Sequence, residues 1–295
     1  SSGMGLAVPI LKPRYIISVD SAQIYRGFNI GTAKPIPEEL TRYPHHLLDF
    51  KGPCERYSVN EFKIDVEKVS SQIYKRNKIP ILVGGTMMYF NSLVKPLNEM
   101  PESTPEARKN VEKDLDMHGL DEMYKKLSKI DPTIVKKIKG TDKQRIMRAL
   151  EVYYITGKPL SFYHKPKMKP DTNYKLLKIA LIPSDRALLN SIIEVRVNDM
   201  LKNGFIEEVE SLIKNNPSLD LTYPALRSVG YKQVYEHIIG IISFDDLTEK
   251  IVIATRQLAK RQMTWIRGMD DLLMIDPFDK TFDIKIINSV RKFLE

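Results

Sequence analysis

Two short β-branched runs constrain this chain most. Tyr15–Val19 (YIISV) ends in Asp20, and Ile79–Val83 (IPILV) ends in Gly84-Gly85-Thr86. Both are too short for helices and lack strict polar alternation, which predicts parallel strands buried on both faces. Between them, Val59–Arg76 places Phe62, Val66, Val69 and Ile73 on one helical stripe among polar residues. Parallel strands need such a crossover, so the pattern predicts a strand-helix-strand unit of the α/β kind. Leu176–Ile182 and Leu272–Ile275 read as further strands, and Ile284–Leu294 as a helix docked on the sheet.

Residues Pro96–Asp171 differ in character. Their runs are helical (Pro105–Met117, Leu120–Ser128, Pro132–Ile138, Lys143–Thr156), no strand signal interrupts them, and proline-rich flanks bound them. This predicts an all-helical insertion, with Pro166–Asn173 as the return linker. Residues 1–95 and 172–295 then form the α/β core, and 96–171 the inserted domain. A lone cysteine, Cys54, excludes an internal disulfide and a thiolate zinc cluster. Apolar runs such as Ile79–Val83 and His237–Ser243 fall far short of the ~20 residues that cross a bilayer, so the expectation is a cytoplasmic chain without membrane contact. The 46 Lys and Arg against 37 Asp and Glu, a formal charge of +9, favour a polyanionic partner without identifying one.

Ser18–Pro35 places an acid at the C-terminal edge of a strand, followed by Ser21, Gln23, Arg26, Gly31, Thr32 and Lys34. In an open α/β sheet that edge is where ligands bind; Asp20 is equally suited to capping a following helix. Gly84-Gly85-Thr86, before a helix at Met87–Leu93, offers backbone N–H groups and a positive helix end to the same crevice, or else is a tight turn that needs glycine. Gln144, Arg145 and Arg148 share a basic edge of one helix, while Ile146, Leu150 and Tyr153 face elsewhere. Arg256, Lys260, Arg261 and Arg267, with Trp265, concentrate positive charge suited to phosphate-backbone contact. Arg186 and Arg196 read either as surface ion-pair partners or as clamps on a diphosphate. His45-His46 with Asp49 gets no metal, because adjacent histidines point to different faces and no third ligand follows at useful spacing.

In order and spacing, VDSAQIYRGFNIGTAKP, PHHLLDF, ILVGGTMMYF, TDKQRIMRALEVYYITG, RSVGYKQ and ATRQLAKRQMTWIRG resemble the tRNA dimethylallyltransferases, also called tRNA isopentenyltransferases. The resemblance implies a P-loop-type, mostly parallel sheet with a helical insertion domain that contacts the anticodon loop. It further implies transfer of a dimethylallyl group from its diphosphate to N6 of adenosine 37 of tRNA by a monomer, with Mg2+ as cofactor. Carried over by position, Asp20 resembles the catalytic acid-base residue at N6, with Ser21, Ala22 and Gln23 in its segment. Thr86 and Arg196 resemble further catalytic groups, Arg196 gripping the diphosphate. Thr86 and Arg108 resemble tRNA contacts. The segments Gln144, Arg145, Ile146, Met147, Arg148, then Arg227, Ser228, Val229, Gly230, Tyr231, Lys232, and finally Lys260, Arg261, Gln262, Met263, Thr264, Trp265, Ile266, Arg267 resemble those reading the anticodon loop. At Lys232 members often carry arginine, so a bidentate contact there is in doubt.

The departure lies at the start. The family opens with an apolar strand and a GPTASGKT-type phosphate loop, whereas here Ser2 and Gly3, expected with Arg196 at the diphosphate, stand in Ser1-Ser2-Gly3-Met4-Gly5-Leu6-Ala7-Val8. Neither the loop lysine nor the Mg2+-binding Ser/Thr is present, no metal ligand is identifiable, and Pro9 and Pro13 fall where the next helix should run. The expectation is that the natural protein has a strand and loop that this sequence lacks. Two other readings stay open: a small-molecule enzyme such as a nucleotide kinase or an adenylate isopentenyltransferase, and an inactive RNA-binding homologue.

Overall fold

A computed structural model describes residues 15–94, 100–164 and 174–295. These residues fall into two compact units, one from the residues up to Leu93 together with those from 174 onward, the other within Val94–Thr172. The expected role of Ser2 and Gly3 lies outside the described residues, as does the linker expected at Pro166–Asn173.

In the first unit, β1 (Ile16–Val19) is followed by α1 (Pro37–Arg42), β2 (His45–His46), α2 (Val59–Tyr74), β3 (Ile81–Gly84) and α3 (Met87–Val94). The strands pair in parallel in the order β2-β1-β3. The crossover helix begins at a capping box: Ser58 Oγ accepts from Glu61 N–H at 3.1 Å, and Glu61 accepts from Ser58 N–H at 2.7 Å. Its buried Phe62, Val66 and Ile73 pack with Ile17, Val19 and Tyr89, and the Phe62 and Tyr89 rings stack with centroids 4.2 Å apart. Each such side chain contributes about 1.5–3 kcal/mol by leaving water. At the far end of β3, a methyl on Gly84 would stand 2.1 Å from the Val19 carbonyl oxygen, so only glycine lets the two strand ends meet.

Two expectations need correction here. The sheet is not continuous: β4 (Lys178–Leu181) and β5 (Leu272–Ile275) form a second, two-stranded parallel sheet among the described residues. Nor is β3 buried on both faces. It is an edge strand, and Val83 is 51% exposed. His45-His46, to which no metal was assigned, form β2, a strand too short to show a period in the sequence.

The rest of this unit is helical: α8 (Arg186–Lys202), α9 (Phe205–Asn215), α10 (Tyr231–Ile238), α11 (Phe244–Arg267) and α12 (Phe282–Leu294). Phe28, from the loop after β1, sits at the centre of the largest core among Phe205, Val209, Tyr231 and Leu247. That loop is therefore packed against helices distant in sequence.

The second unit is all helix: α4 (Pro105–Ile130), α5 (Pro132–Val135), α6 (Lys143–Thr156) and α7 (Leu160–Tyr163). The two helices expected over 105–128 run together, interrupted where Gly119 takes φ 74°. The expected helix at Pro132–Ile138 stops at Val135. Asp142 caps α6, and Gly157, left-handed at φ 67°, ends it at the expected residues. Buried Asp131 accepts from Ile134 N–H at 3.0 Å and from Ser161 N–H at 2.7 Å, tying α5 to α7. Among the described residues no helix is long and apolar enough to cross a membrane.

Because the β1–β3 contact leaves no room for a side chain at residue 84, Gly84→Ala is expected to lower unfolding free energy by about 1–3 kcal/mol. Urea denaturation followed by circular dichroism measures this.

Candidate functional site

The parallel sheet brings Asp20 and the Gly84-Gly85-Thr86 turn side by side, since Val19 pairs with Gly84. Asp20 does not cap a helix. Its Oδ1 accepts from the N–H groups of Ala22 (2.8 Å) and Gln23 (3.1 Å), an Asx turn that reverses the chain directly after the strand. Among the described residues no hydrogen bond engages Oδ2. Across the turn, Thr86 Oγ1 accepts from Ser21 N–H at 2.9 Å and donates to Ser21 Oγ at 3.2 Å, while Thr86 N–H donates to the Val19 carbonyl at 3.1 Å. The Gln262 amide of α11 donates to the Gly85 carbonyl at 2.9 Å, so one member of the Lys260–Arg267 segment reaches the crevice. Arg196 of α8 keeps accessible surface yet is crowded by protein. Desolvation lowers its guanidinium pKa, and Asp20 opposes that shift by attraction. The carboxylate at the end of β1 and this arginine of α8 are thus within electrostatic reach of each other.

The loop that carries Asp20 is held from below. Gln23 Nε2 donates to the Thr32 carbonyl at 3.1 Å, closing its neck. Buried Lys34 donates to the Tyr25 carbonyl at 2.8 Å and forms an ion pair with Asp49; burial lowers its pKa, and Asp49 opposes this. Glu208 on α9 accepts from three successive N–H groups, Asn29 (3.2 Å), Ile30 (2.8 Å) and Gly31 (3.5 Å), and from the Tyr231 hydroxyl at 2.6 Å. Tyr231 is accordingly held neutral, its pKa raised first by burial and then by Glu208. Sequence reasoning missed Glu208 altogether. Its backbone partners lie 177 or more residues away, and no local pattern announces them.

The expected RNA-contact residues sort by exposure. Arg227 and Lys232 are exposed, Lys232 paired with Glu236 at 3.5 Å, and Ser228 and Val229 are half-buried. Gly230 and Tyr231 are buried, so the expectation of direct RNA contact through Tyr231 is corrected: its ring packs on Phe28 and Phe205, and its hydroxyl is engaged. On α11, Lys260, Arg261, Thr264, Trp265 and Arg267 are exposed, with Met263 and Ile266 half-buried. Arg256 pairs with Glu194 of α8. In the helical unit, Gln144 and Arg145 are exposed and Met147 is half-buried, whereas Ile146 is fully buried and cannot touch a ligand. Arg108 and Arg148 are half-buried and linked through other polar groups.

Among the described residues no three His, Cys, Asp or Glu side chains converge on a metal position. Mg2+ at phosphate sites needs few protein oxygens, because substrate phosphates and water complete its shell. The described side chains make no cage for it.

An acid and a glycine turn side by side at parallel strand ends, with an arginine of α8 in electrostatic reach, stand at the edge where open α/β sheets bind ligands, as in nucleotide- and phosphate-handling enzymes. The IPP transferase family model matches residues 23–269. A tRNA dimethylallyltransferase of Legionella pneumophila (strain Paris) is 46% identical over 298 positions, covering 100% of this chain and 94% of the relative. One of Neisseria gonorrhoeae is 42% identical, covering 99% and 94%. The crystal structure of full-length tRNA isopentenylpyrophosphate transferase from Bacillus halodurans superposes with a TM-score of 0.65 at 31% identity, covering 95% of this chain and 88% of that one. A eukaryotic dimethylallyltransferase acting on tRNA gives a TM-score of 0.76 at 26% identity, with 95% and 73% covered. The chain belongs to the IPP transferase family, whose curated members here are tRNA-modifying prenyltransferases.

Glu208→Ala would leave three loop N–H groups and a buried hydroxyl without their acceptor. We expect a loss of about 2–4 kcal/mol and earlier proteolytic cleavage within residues 20–35. Limited proteolysis with mass mapping checks both.

Proposed function

We propose that this chain transfers a dimethylallyl group from dimethylallyl diphosphate to N6 of adenosine 37 in tRNA, with release of diphosphate. The observation that carries the proposal is Asp20: one carboxylate oxygen builds the turn, and the described residues leave the other unengaged, beside Arg196 at the strand ends.

The chemistry makes three demands. Breaking the C1–O bond of the allylic diphosphate places negative charge on the leaving group, which Arg196 is positioned to receive. C1 then carries cation-like charge and needs shelter from water. The adenine amine is a weak nucleophile because its lone pair is delocalised into the ring. Asp20 Oδ2 orients it and accepts its proton as the N6–C1 bond forms and the C1–O electron pair leaves with diphosphate; the carboxylate is then restored by loss of that proton to solvent. Thr86, through Ser21, fixes the backbone on which Asp20 stands. Mg2+ bound to the diphosphate would add to charge neutralisation.

The adenine must leave its stack to enter the crevice, and single-stranded loops present such bases most readily. We assign residues 1–95 and 172–295 to a P-loop-type catalytic core, and 96–171 to an inserted helical domain on the anticodon loop. Arg108, Gln144, Arg145 and Arg148 of that domain, with Arg227, Lys232, Lys260, Arg261 and Arg267 of the core, supply the RNA contacts. Their number argues for a large polyanion, since a free nucleotide has too few phosphates to engage them. The chain acts as a monomer in the cytoplasm.

Asp20→Asn keeps the turn, because an amide oxygen accepts the same two N–H groups, but removes the proton acceptor. Single-turnover transfer from labelled dimethylallyl diphosphate is expected to slow by roughly 100-fold or more, with RNA affinity changed by only a few fold. A rate near that of the parent would reduce Asp20 to its turn. A stem-loop bearing A37 should be modified faster than AMP at equal concentration, and Arg145→Ala should flatten the salt dependence of RNA binding by about 0.7 in slope. Faster modification of AMP would favour the adenylate-type enzyme, and RNA binding without any transfer the inactive homologue.

A further inference from the structure

Glu151 of α6 is an acid buried in an otherwise apolar core: Ala149, Leu150 and Val152 beside it are all buried, and only 8% of its own side chain is exposed. An ionised carboxylate survives in such a place only with good partners. It has two, on different segments. One oxygen accepts from Arg148 Nη1 at 3.2 Å, and the other accepts from the Ser103 hydroxyl. Ser103 Oγ in turn accepts from Arg108 Nη2, and Arg148 Nη2 donates to the Pro101 carbonyl at 2.5 Å. A single carboxylate therefore fixes an arginine of α6 directly and one of α4 through a hydroxyl.

The arrangement does not exhaust the arginines. A guanidinium has five N–H donors, of which this network takes two from Arg148 and one from Arg108. A third of the Arg148 side chain remains exposed. We infer that Glu151 is a positioning residue for RNA: it holds Arg108 and Arg148 at a set spacing so that both engage the nucleic-acid backbone without first being ordered. This rests on the proposed RNA contacts of the two arginines. Freely rotating arginines must be immobilised on binding, whereas two held by one buried acid are ordered beforehand. Glu151 itself never touches RNA. Its effect passes through the forks that it holds.

The test uses the full chain and an anticodon stem-loop RNA, titrated over a range of salt. Glu151→Gln preserves shape and removes the charge. It is expected to raise KM for RNA roughly tenfold with kcat and KM for dimethylallyl diphosphate unchanged, and to flatten the salt slope by up to about 1.4, the value of two single-strand contacts. Adding Glu151→Gln to the Arg108→Ala and Arg148→Ala pair should then change binding no further. Ser103→Ala, at an exposed position that spares the core, should release Arg108 alone and flatten the slope by about half as much. A Glu151→Gln protein with a lowered Tm but the parent's salt slope would make the network purely structural, and tighter RNA binding would make Glu151 a brake; either result overturns the inference. If Arg108→Ala and Arg148→Ala bind RNA as the parent does, the RNA contacts themselves fail, whereas weakened arginine variants beside an unaffected Glu151→Gln isolate the failure of the inference alone.

Discussion

Everything at the crevice depends on the close approach of two strand ends. Val19 and Gly84 are paired so tightly that the Val19 carbonyl occupies the space a side chain at residue 84 would need. The next residues are then forced together: Thr86 N–H returns to Val19, and its hydroxyl to Ser21. The acid at residue 20 acquires its surroundings from backbone geometry rather than from a dedicated set of side chains. Parallel pairing supplies that geometry because it sends both strand ends to the same edge.

What was legible in the sequence follows the range over which the determining forces act. Tyr15–Val19, Leu272–Ile275 and Lys143–Thr156 declare themselves through local apolar pattern and caps, and they fold within a residue or so of expectation. Asp20 and the glycine turn were visible because both directly follow such runs. β2 was not, since two histidines carry no period and their pairing depends on β1 being there first. The division into two sheets was also hidden: four-residue strands specify a direction and a face, but not which neighbour they meet. Glu208 and Glu151 were invisible for a third reason. Each looks like an ordinary helical acid, and its meaning lies in partners brought to it by the tertiary fold.

The positive charge is deployed in two physical states. Arg145, Lys260, Arg261 and Arg267 are exposed, and they add long-range attraction that salt screens. Arg148 is half-buried and Lys34 buried, and for Lys34 and Arg196 desolvation already disfavours the charged form. Such groups act at short range, on a fixed partner. The +9 total conflates the two, which is why net charge identifies a class of partner and nothing about chemistry.

The Asx turn at Asp20 has an evolutionary side. On the proposed mechanism the side chain divides its labour between its oxygens, so the residues tolerated by the fold and those tolerated by the reaction are different sets. Asparagine satisfies the first set and not the second, whereas alanine satisfies neither. A lineage drifting from enzyme to simple RNA binder has an open path through asparagine, with its loop undisturbed. The identity of residue 20, rather than the shape of the loop around it, is what reports whether such a chain accepts a proton.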